Sequence, residues 1–407
     1  MEIKFRIFRL FFLLLLSLFT SCNGQINTKN ENQPVSEINT KKIVGGGCDG
    51  CELMYVGMPE QILPEDTSLG WTEGKQKLIL TGKVFQPDGK KPASNVIIYY
   101  WHTDDNGLYT SNNETPKEAK QHGKLRGWVK SDENGNYTIK TSRPAHYPDE
   151  EMAAHIHLSI KEQNIENEYF ADLYFDDDPK YLKHKKKYGK IDRAGTEILR
   201  VVIDGIIQVA EHNIILGLNI PNYPTKNKKD YPSGLNVGED QPSFIPFHAF
   251  GPDKGTRTCP VCKYGRYHGI IFFVGDNTKW EEIKKWLKYL DDESIKREKY
   301  LKAYFVYGNS KSYNEQTRQT ELEKIGIELG LQKIALTFVS SFSDTESEVN
   351  LNKINPNAMN TFIIYRHRTI VDKYVNLKPT EQNFKLLSEI LDKTKGNYFD
   401  LNEPKHE

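Results

Sequence analysis

The sequence predicts two folded domains, an all-β sandwich followed by an α/β domain. Residues 75–222 contain many short alternating or apolar runs separated by turn residues, which is typical of a β-sandwich. Residues 269–393 instead alternate short apolar runs with amphipathic helical runs, which indicates an α/β domain. The chain has 407 residues, and this length fits two ordinary domains.

The charge balance argues against partners that are bound through net charge. Lys and Arg together number 55, and Asp and Glu together also number 55. No excess of either sign is present to attract nucleic acid or an anionic membrane surface, so we expect no nucleic-acid partner. The hydrophobic fraction of 37% and the aromatic fraction of 11% are sufficient for globular cores.

The first 22 residues have the pattern of an export signal rather than of a folded element. Lys4, Arg6 and Arg9 precede an almost wholly apolar run at 10–19, and small residues then lead to Cys22. A cysteine at this junction resembles the lipobox of bacterial lipoproteins, in which the thiol is acylated. We therefore predict a lipoprotein signal peptide at residues 1–22, lipidated at Cys22. Secretion without an anchor and an uncleaved anchor are the alternatives.

The residues after Cys22 are predicted to connect a lipid anchor to the folded protein. Residues 23–47 are largely polar, which is typical of a flexible tether. The expected location is therefore outside the cytosol, with the protein lipid-anchored to the cell envelope. Asn23 stands where an aspartate is associated with retention in the inner membrane, which favours the outer membrane in a cell that has two.

The four remaining cysteines form two closely spaced pairs, Cys48 with Cys51 and Cys259 with Cys262. Export makes disulfides the expected state of both pairs, because paired thiols outside the cytosol oxidise. A zinc site made by both pairs together and a redox-active dithiol remain as alternatives.

The predicted sandwich domain comprises residues 48–223. Its strands are predicted at 77–84, 96–102, 126–130, 137–141, 155–160, 170–175, 199–207 and 213–218. The third and fourth of these strands flank an Asp-Glu-Asn-Gly turn at 132–135, a pattern that predicts a β-hairpin. Residues 224–258 are rich in Pro, Gly and Lys with little periodicity, and we predict that they form a linker.

The second domain is predicted at residues 259–395, followed by a tail at 396–407. Strands are expected at 270–274, 303–307 and 334–339, a hairpin at 361–365 and 369–375, and helices after 278, at 315–329 and at 380–391. Thr278 and Glu281 have the spacing of a capping box for the first helix. The order β-α-β-α-β-β-β-α resembles a thioredoxin-like domain. The segment after its second strand, where such domains carry a dithiol, has no cysteine.

A pair of histidines on a predicted strand is the first candidate for a functional site. His155 and His157 are separated by one residue, so on a strand both project from the same face. Two imidazoles placed in this way can share one metal ion. The alternative is a pair of histidines that only packs in a core or lies at the surface. The other histidines are expected at the surface or in loops, and these include His102, His122, His146, His248 and His268.

The motifs around these histidines carry a family resemblance. In order, they are Asn-Gly-Leu-Tyr at 106–109, Arg-Gly-Trp-Val at 126–129, Arg-Pro-Ala-His-Tyr-Pro at 143–148, and Leu-Tyr-Phe-Asp-Asp-Asp-Pro at 173–179. This series resembles the intradiol ring-cleavage dioxygenases, the family of protocatechuate 3,4-dioxygenase and catechol 1,2-dioxygenase. The resemblance covers about residues 75–222 and implies an intradiol dioxygenase-like β-sandwich.

The resemblance implies a ferric ion held by Tyr109, Tyr147, His155 and His157. Phenolate is a hard anionic donor that favours Fe(III), and imidazole also suits iron. By the same resemblance, Tyr147 leaves the metal when substrate binds and accepts a substrate proton, which makes it the catalytic residue. The implied substrates are a catechol-type aromatic diol and dioxygen, and the implied product is a muconate-type diacid.

Two positions depart from the family pattern. Family enzymes usually carry an arginine three residues before the first histidine, where this chain has Met152, and a glutamine where it has Asp172. The arginine stabilises negative charge on the bound ring, so ring cleavage is expected only if the site functions without it. The alternative functions are an iron- or ligand-binding module without turnover, and thiol–disulfide exchange through Cys259 and Cys262.

Overall fold

Three β-sheets form the framework of the protein in a computed structural model that describes residues 42–48, 50–148, 151–224, 233–311 and 313–396. The strands of the N-terminal half are β1 (Glu65–Thr67), β2 (Lys77–Phe85), β3 (Ile97–His102), β4 (Arg126–Lys130), β5 (Asn136–Ser142), β6 (His155–Lys161), β7 (Tyr169–Phe175), β8 (Ile198–Leu199), β9 (Val201–Asp204), β10 (Ile207–Glu211) and β11 (Ile214–Ile215). The helices of this half are α1 (Gly70–Glu73) and α2 (Tyr181–Tyr188), with 3-10 helices at Val44–Gly46, Cys51–Tyr55 and Lys117–His122.

These strands build a sandwich of two sheets. One sheet has the order β1-β5-β2-β10-β9, with β11 also paired to β2, and the other has the order β4-β3-β6-β7-β8. Alternate residues of each strand face the space between the sheets, as the period of two in a strand requires. Leu80 and Ile139 of the first sheet are fully buried in the same core cluster as Ile98 and Leu158 of the second sheet. The site described below lies on the opposite face of the second sheet.

The predicted hairpin at 126–141 is wrong, although both strands exist. β4 pairs with β3 in one sheet, whereas β5 pairs with β1 and β2 in the other. The turn between them is closed by Asp132, whose side chain accepts backbone N–H groups of Asn134 and Asn136 at 2.8 and 2.7 Å. The chain therefore crosses from one sheet to the other here, because each strand buries its apolar face against the common core.

The C-terminal half is a mixed sheet with helices. Its strands are β12 (Phe247–Phe250), β13 (His268–Val274), β14 (Leu301–Tyr307), β15 (Ala335–Phe338), β16 (Thr361–Arg366) and β17 (Thr369–Val375), in the sheet order β12-β15-β14-β13-β16-β17. Its helices are α3 (Pro260–Tyr264), α4 (Trp280–Arg297), α5 (Glu315–Glu328) and α6 (Glu381–Thr394), with 3-10 helices at Glu298–Tyr300 and Val349–Asn352. From β13 onward the order of elements matches the sequence expectation, and the thioredoxin-like assignment stays a prediction.

Two local expectations for this half differ from the structure. Helix α4 begins at Trp280 after Lys279, without a side-chain cap, so the capping box of Thr278 and Glu281 is not formed. Thr278 instead donates its hydroxyl to the carbonyl of Gly275 at 3.0 Å. Strand β12 lies inside the predicted linker and pairs antiparallel with β15, so part of that segment belongs to the sheet.

An ion network around the buried Asp240 joins the two halves of the described chain. Asp240 is 4% exposed and forms an ion pair with Arg200, whose Nη2 lies 2.7 Å from the carboxylate. Lys190 Nζ lies 3.5 Å from the same carboxylate, and Arg368 Nη2 lies 3.9 Å from it. Arg200 and Lys190 come from the sandwich, whereas Arg368 belongs to the β16–β17 turn. Asp240 therefore neutralises cations of both halves.

We expect Asp240→Ala to lower the free energy of unfolding by about 1.5–3 kcal/mol, because the half-buried Arg200 loses a buried, charge-assisted partner while Asp176 still lies beside it. The measurement is chemical denaturation at pH 7. The matched control is Glu389→Ala, which removes an exposed partner of Lys385 and should leave the denaturation midpoint unchanged. Equal stability of Asp240→Ala and the unmodified protein would show that the network contributes nothing net.

Candidate metal centre

Four donor atoms converge on the outer face of the second sandwich sheet. Tyr109 Oη lies 2.8 Å from Tyr147 Oη, which lies 3.3 Å from His155 Nε2. His155 Nε2 lies 3.0 Å from His157 Nε2, which in turn lies 3.1 Å from Tyr109 Oη. The four side chains, called the tetrad below, thus form a closed ring of two oxygens and two nitrogens. The structure brings together every residue that the sequence analysis selected as a metal ligand.

The two histidines are placed by the register of the central strand β6. His157 pairs with Trp101 of β3 on one side and with Asp172 of β7 on the other. His155 pairs with Tyr174 of β7, two residues along the same face. Since paired residues of neighbouring strands point to the same side, a row of polar and aromatic side chains covers the face that is turned away from the sandwich core.

Hydrogen bonds to the second nitrogen of each imidazole direct Nε2 toward the tetrad centre. His155 Nδ1 lies 2.7 Å from the carbonyl oxygen of Ala153, so Nδ1 carries the proton and donates it. His157 Nδ1 lies 2.7 Å from Oδ1 of Asp172 and donates in the same way. Each Nε2 is then left with its lone pair, which is the form of histidine that binds a metal.

Tyr109 is positioned by a tight turn that hydrogen bonds to the Asp104 side chain stabilise. The Asp104 carboxylate accepts the backbone N–H groups of Asn106 and Leu108 at 2.8 and 3.1 Å and the hydroxyl of Thr110 at 3.0 Å. Gly107 lies within the turn with φ of 76°, a left-handed conformation that glycine adopts without steric cost. The Asn-Gly motif is therefore needed for the backbone geometry that aims Tyr109 at the histidines.

Tyr147 lies on a second loop that is joined to the first one. Thr103 donates its hydroxyl to the carbonyl of Ala145 at 2.6 Å, and the Ala145 N–H donates to the carbonyl of Asp104 at 3.2 Å. A Cβ atom on Gly107 would collide with the carbonyl of His146, so this glycine also permits the close approach of the two loops. The two phenol oxygens meet because their loops are bonded to each other.

Electrostatics favour the uncharged forms of His155 and Tyr109. Burial lowers the pKa of His155 to about 4, so its imidazole is uncharged at neutral pH. Burial, and then the hydrogen bond with Tyr147, raise the pKa of Tyr109 well above its ordinary value. Burial acts to raise the pKa of Asp172, but interaction with His157 holds it below its ordinary value. An anionic carboxylate therefore lies beside one imidazole, and a bound cation would favour loss of the Tyr109 proton.

The donor set fits a ferric ion. Two phenol oxygens that become anionic on binding, together with two neutral imidazoles, are hard and borderline donors of the kind that Fe(III) prefers. In the described part of the chain, no three His, Cys, Asp or Glu side chains are grouped so that they could hold a metal. The two tyrosines are therefore essential to a metal site at this position, and a zinc site that joins the two cysteine pairs is not formed.

The cysteines lie apart from the tetrad or outside the described residues. Cys22 and the predicted signal peptide fall in the range that the structure does not describe. Cys48 and Cys51 form one disulfide and Cys259 and Cys262 another, with Cα–Cα distances of 5.6 and 5.3 Å. No helix among the described residues is both long enough and apolar enough to cross a membrane.

Several histidines were wrongly expected at the surface or in loops. His102, His122, His248 and His268 are between 0% and 4% exposed, because each packs inside the fold and finds a hydrogen-bond partner there. His122 is the most informative of these, since it stacks on the same tryptophan as the tetrad residue His157. The signal that could have located it is the Trp101 strand, which precedes the Tyr109 motif.

Comparison with known proteins relates the tetrad region to dioxygenases. Residues 62–186, which include all four tetrad residues, match a family model described as "Dioxygenase". Catechol 1,2-dioxygenase of Acinetobacter baylyi is 33% identical over 95 residues, which are 23% of this chain and 30% of that protein. Catechol 1,2-dioxygenase 1 of Acinetobacter lwoffii is 34% identical over 70 residues, which are 17% of this chain and 22% of that protein. The chain spans less than a third of the length of these relatives.

Solved structures of dioxygenases also match part of the chain. The dioxygenase domain of a dioxygenase carbohydrate-binding fusion protein from Streptomyces sp. SirexAA-E is 21% identical, with a TM-score of 0.31, and the match covers 39% of this chain and 91% of that one. Catechol 1,2-dioxygenase from Acinetobacter sp. ADP1 is 22% identical, with a TM-score of 0.30, over 38% of this chain and 56% of that one.

We expect Asp172→Asn to weaken ferric binding by ~10–100-fold, because the amide no longer accepts a charge-assisted bond that orients His157. Iron affinity is measured by competition with a chelator of known affinity. The control is Asp177→Asn, which removes a carboxylate that pairs with Arg143 and has no contact with His157. Unchanged affinity of Asp172→Asn would contradict the orienting role of this carboxylate.

Proposed function

We propose that the tetrad binds Fe(III) and that the protein cleaves a catechol-type aromatic diol with dioxygen, between the two hydroxylated carbons. The observation that carries this proposal is the ring of four donor atoms, whose consecutive distances run from 2.8 to 3.3 Å. The dioxygenase match of residues 62–186 supports the choice of reaction. It covers the sandwich alone, and the second half of the chain has no part in the proposal.

When bound, the ferric ion supplies Lewis acidity and a template on which the diol and dioxygen meet. The chain's own residues supply orientation and proton transfer. Ala153 and Asp172 hold the two imidazoles in one tautomer and one ring orientation. We assign Tyr147 as the acceptor of a substrate proton, because it matches the tyrosine that leaves the metal in the dioxygenases that this chain resembles. Its hydroxyl is within hydrogen-bond distance of both Tyr109 and His155.

The arginines nearest in sequence to the site are engaged with other groups. Arg143 forms a two-pronged ion pair with Asp177 at 2.8 and 2.6 Å. The Arg126 guanidinium lies over the ring of Trp128 and donates to the carbonyl of Val56. Met152 carries no charge where the resembling enzymes carry an arginine. The negative charge that develops on the substrate ring therefore lacks one stabilising group. A missing group of this kind costs ~3 kcal/mol of transition-state stabilisation, and we therefore expect slow turnover.

The experiment is oxygen uptake by the iron-loaded full-length protein with a panel of catechols, with product analysis under ¹⁸O₂. We expect a diacid that carries both atoms of one dioxygen molecule. Tyr147→Phe should lower the rate by ~100-fold or more, because the proton acceptor is lost. The control is Tyr313→Phe in the C-terminal half, which changes a tyrosine that is 36% exposed. This variant should cleave the diol at the same rate as the unmodified protein.

The alternative is a binding module without turnover, and the same experiment distinguishes it from an enzyme. Its support is Met152, which stands where the resembling enzymes carry an arginine. A protein that binds ferric iron at the tetrad but takes up no oxygen with any diol would favour the binding module. A protein that cleaves the diol with unchanged rate after Tyr147→Phe would contradict the assigned role of this tyrosine.

Thiol–disulfide exchange is a second candidate function, and one observation favours it. The Cys259–Cys262 disulfide is accessible, because Cys262 is exposed, whereas Cys51 of the other disulfide is 1% exposed. Cys259 Sγ accepts the backbone N–H of Cys262 at 2.9 Å, which stabilises a thiolate at Cys259. An external dithiol would attack Cys262, the disulfide would break with its electron pair on Cys259, and the dithiol would become a disulfide.

We expect Cys259→Ser to abolish any dithiol-dependent reduction of a protein disulfide by the full-length protein. The measurement is reduction of a disulfide substrate coupled to consumption of a small dithiol. The matched control is Cys51→Ser in the other pair, which should retain the activity. Absence of activity in the unmodified protein rules out this second function.

A further inference from the structure

The residues that follow the Cys48–Cys51 disulfide pack on the same sheet face as the tetrad. Met54 is fully buried in a cluster with Tyr99 and Trp101 of β3. Trp128 donates its indole N–H to the carbonyl of Met54 at 2.7 Å. These contacts fix the segment from Cys51 to Met54 against the aromatic side chains next to the metal ligands, and Cys51 is itself 1% exposed.

A stack of three rings connects this segment to the tetrad. The Trp101 ring lies parallel to the His157 ring, with centroids 4.8 Å apart and an interplanar angle of 19°. Its other neighbour is His122, with centroids 4.1 Å apart and an interplanar angle of 8°. Tyr99 Oη lies 2.9 Å from His122 Nδ1 and holds that ring in place. His157 is therefore oriented at its edge by Asp172 and at its face by Trp101.

The stack ends on the disulfide loop. Gly50 lies directly before Cys51, and a Cβ atom at this position would lie only 2.9 Å from His122 Nε2. Gly50 has φ of 82°, a left-handed conformation that favours glycine and allows the loop backbone to approach the ring. Gly50 thus contacts His122, His122 contacts Trp101, and Trp101 contacts His157. His122 and Trp101 are only 4% and 6% exposed, so no solvent layer separates these side chains.

We propose that the Cys48–Cys51 disulfide positions His157 through this stack, so that the affinity of the tetrad for ferric iron depends on the redox state of the disulfide. The inference rests on the proposed metal centre. Reduction by an external dithiol begins at Cys48, which is partly exposed, because Cys51 is buried. The disulfide bond breaks, its electron pair leaves on the Cys51 sulfur, and the dithiol is oxidised to a disulfide. The opened loop then no longer fixes His122 and Trp101.

Iron affinity of the full-length protein tests this proposal without any measure of turnover. We expect Cys48→Ala/Cys51→Ala to weaken ferric binding by ~10–100-fold, the range for groups that orient a ligand. The matched control, Cys259→Ala/Cys262→Ala, removes a disulfide of the same spacing from the other half and should bind iron normally. In that control background, reduction with a dithiol that is removed before iron is added should weaken ferric binding, and reoxidation of the disulfide should restore it.

A double-mutant cycle separates positioning from a general loss of stability. Trp101→Leu should weaken iron binding, and Trp101→Phe should restore most of it because a ring again covers His157. Removal of the Cys48–Cys51 pair in the Trp101→Leu background should cause no further loss, since the disulfide acts through Trp101. Equal affinity in all variants, or losses that simply add, would overturn the proposal. Failure of the unmodified protein to bind iron would instead overturn the metal centre itself.

Discussion

The hydrogen bonds that fix the tautomers of His155 and His157 are the constraint on which the site depends. Both Nδ1 atoms are occupied, one by the Ala153 carbonyl and one by the Asp172 carboxylate, so both Nε2 atoms face inward. With either ring turned over, the four donors would no longer converge. The central position of β6 makes this arrangement rigid, because the strand is paired on both sides along nearly its whole length.

The two tyrosines of the tetrad and the support of His157 come from parts of the sandwich outside β6. The two tyrosines come from loops at one end of the sheets, and their meeting depends on bonds between Thr103, Asp104 and Ala145. A row of side chains across β7, β6 and β3 then supports His157 from two directions. The site therefore joins an inflexible pair of imidazoles to a pair of phenols on loops, an arrangement that suits a centre where one phenol acts on the substrate.

The sequence predicted which four side chains converge better than it predicted their surroundings. The alternation at 155–157 placed both histidines on one face, and the ordered motifs selected both tyrosines. The role of Asp172 was not foreseen, because its contact with His157 depends on the register between β6 and β7. The pairing of β4 and β5 was wrong because a turn motif specifies a reversal but not which sheet receives the next strand. The stack through Trp101 depends on strand neighbours in the same way.

The central claim is that four side chains from one strand and two loops form one ferric site. The most direct measurement is anomalous diffraction at the iron edge from crystals of the full-length protein grown with ferric iron. The account predicts one strong peak within bonding distance of Oη of Tyr109 and Tyr147 and of Nε2 of His155 and His157. A peak bound elsewhere, or none at the tetrad with iron in excess, would contradict it.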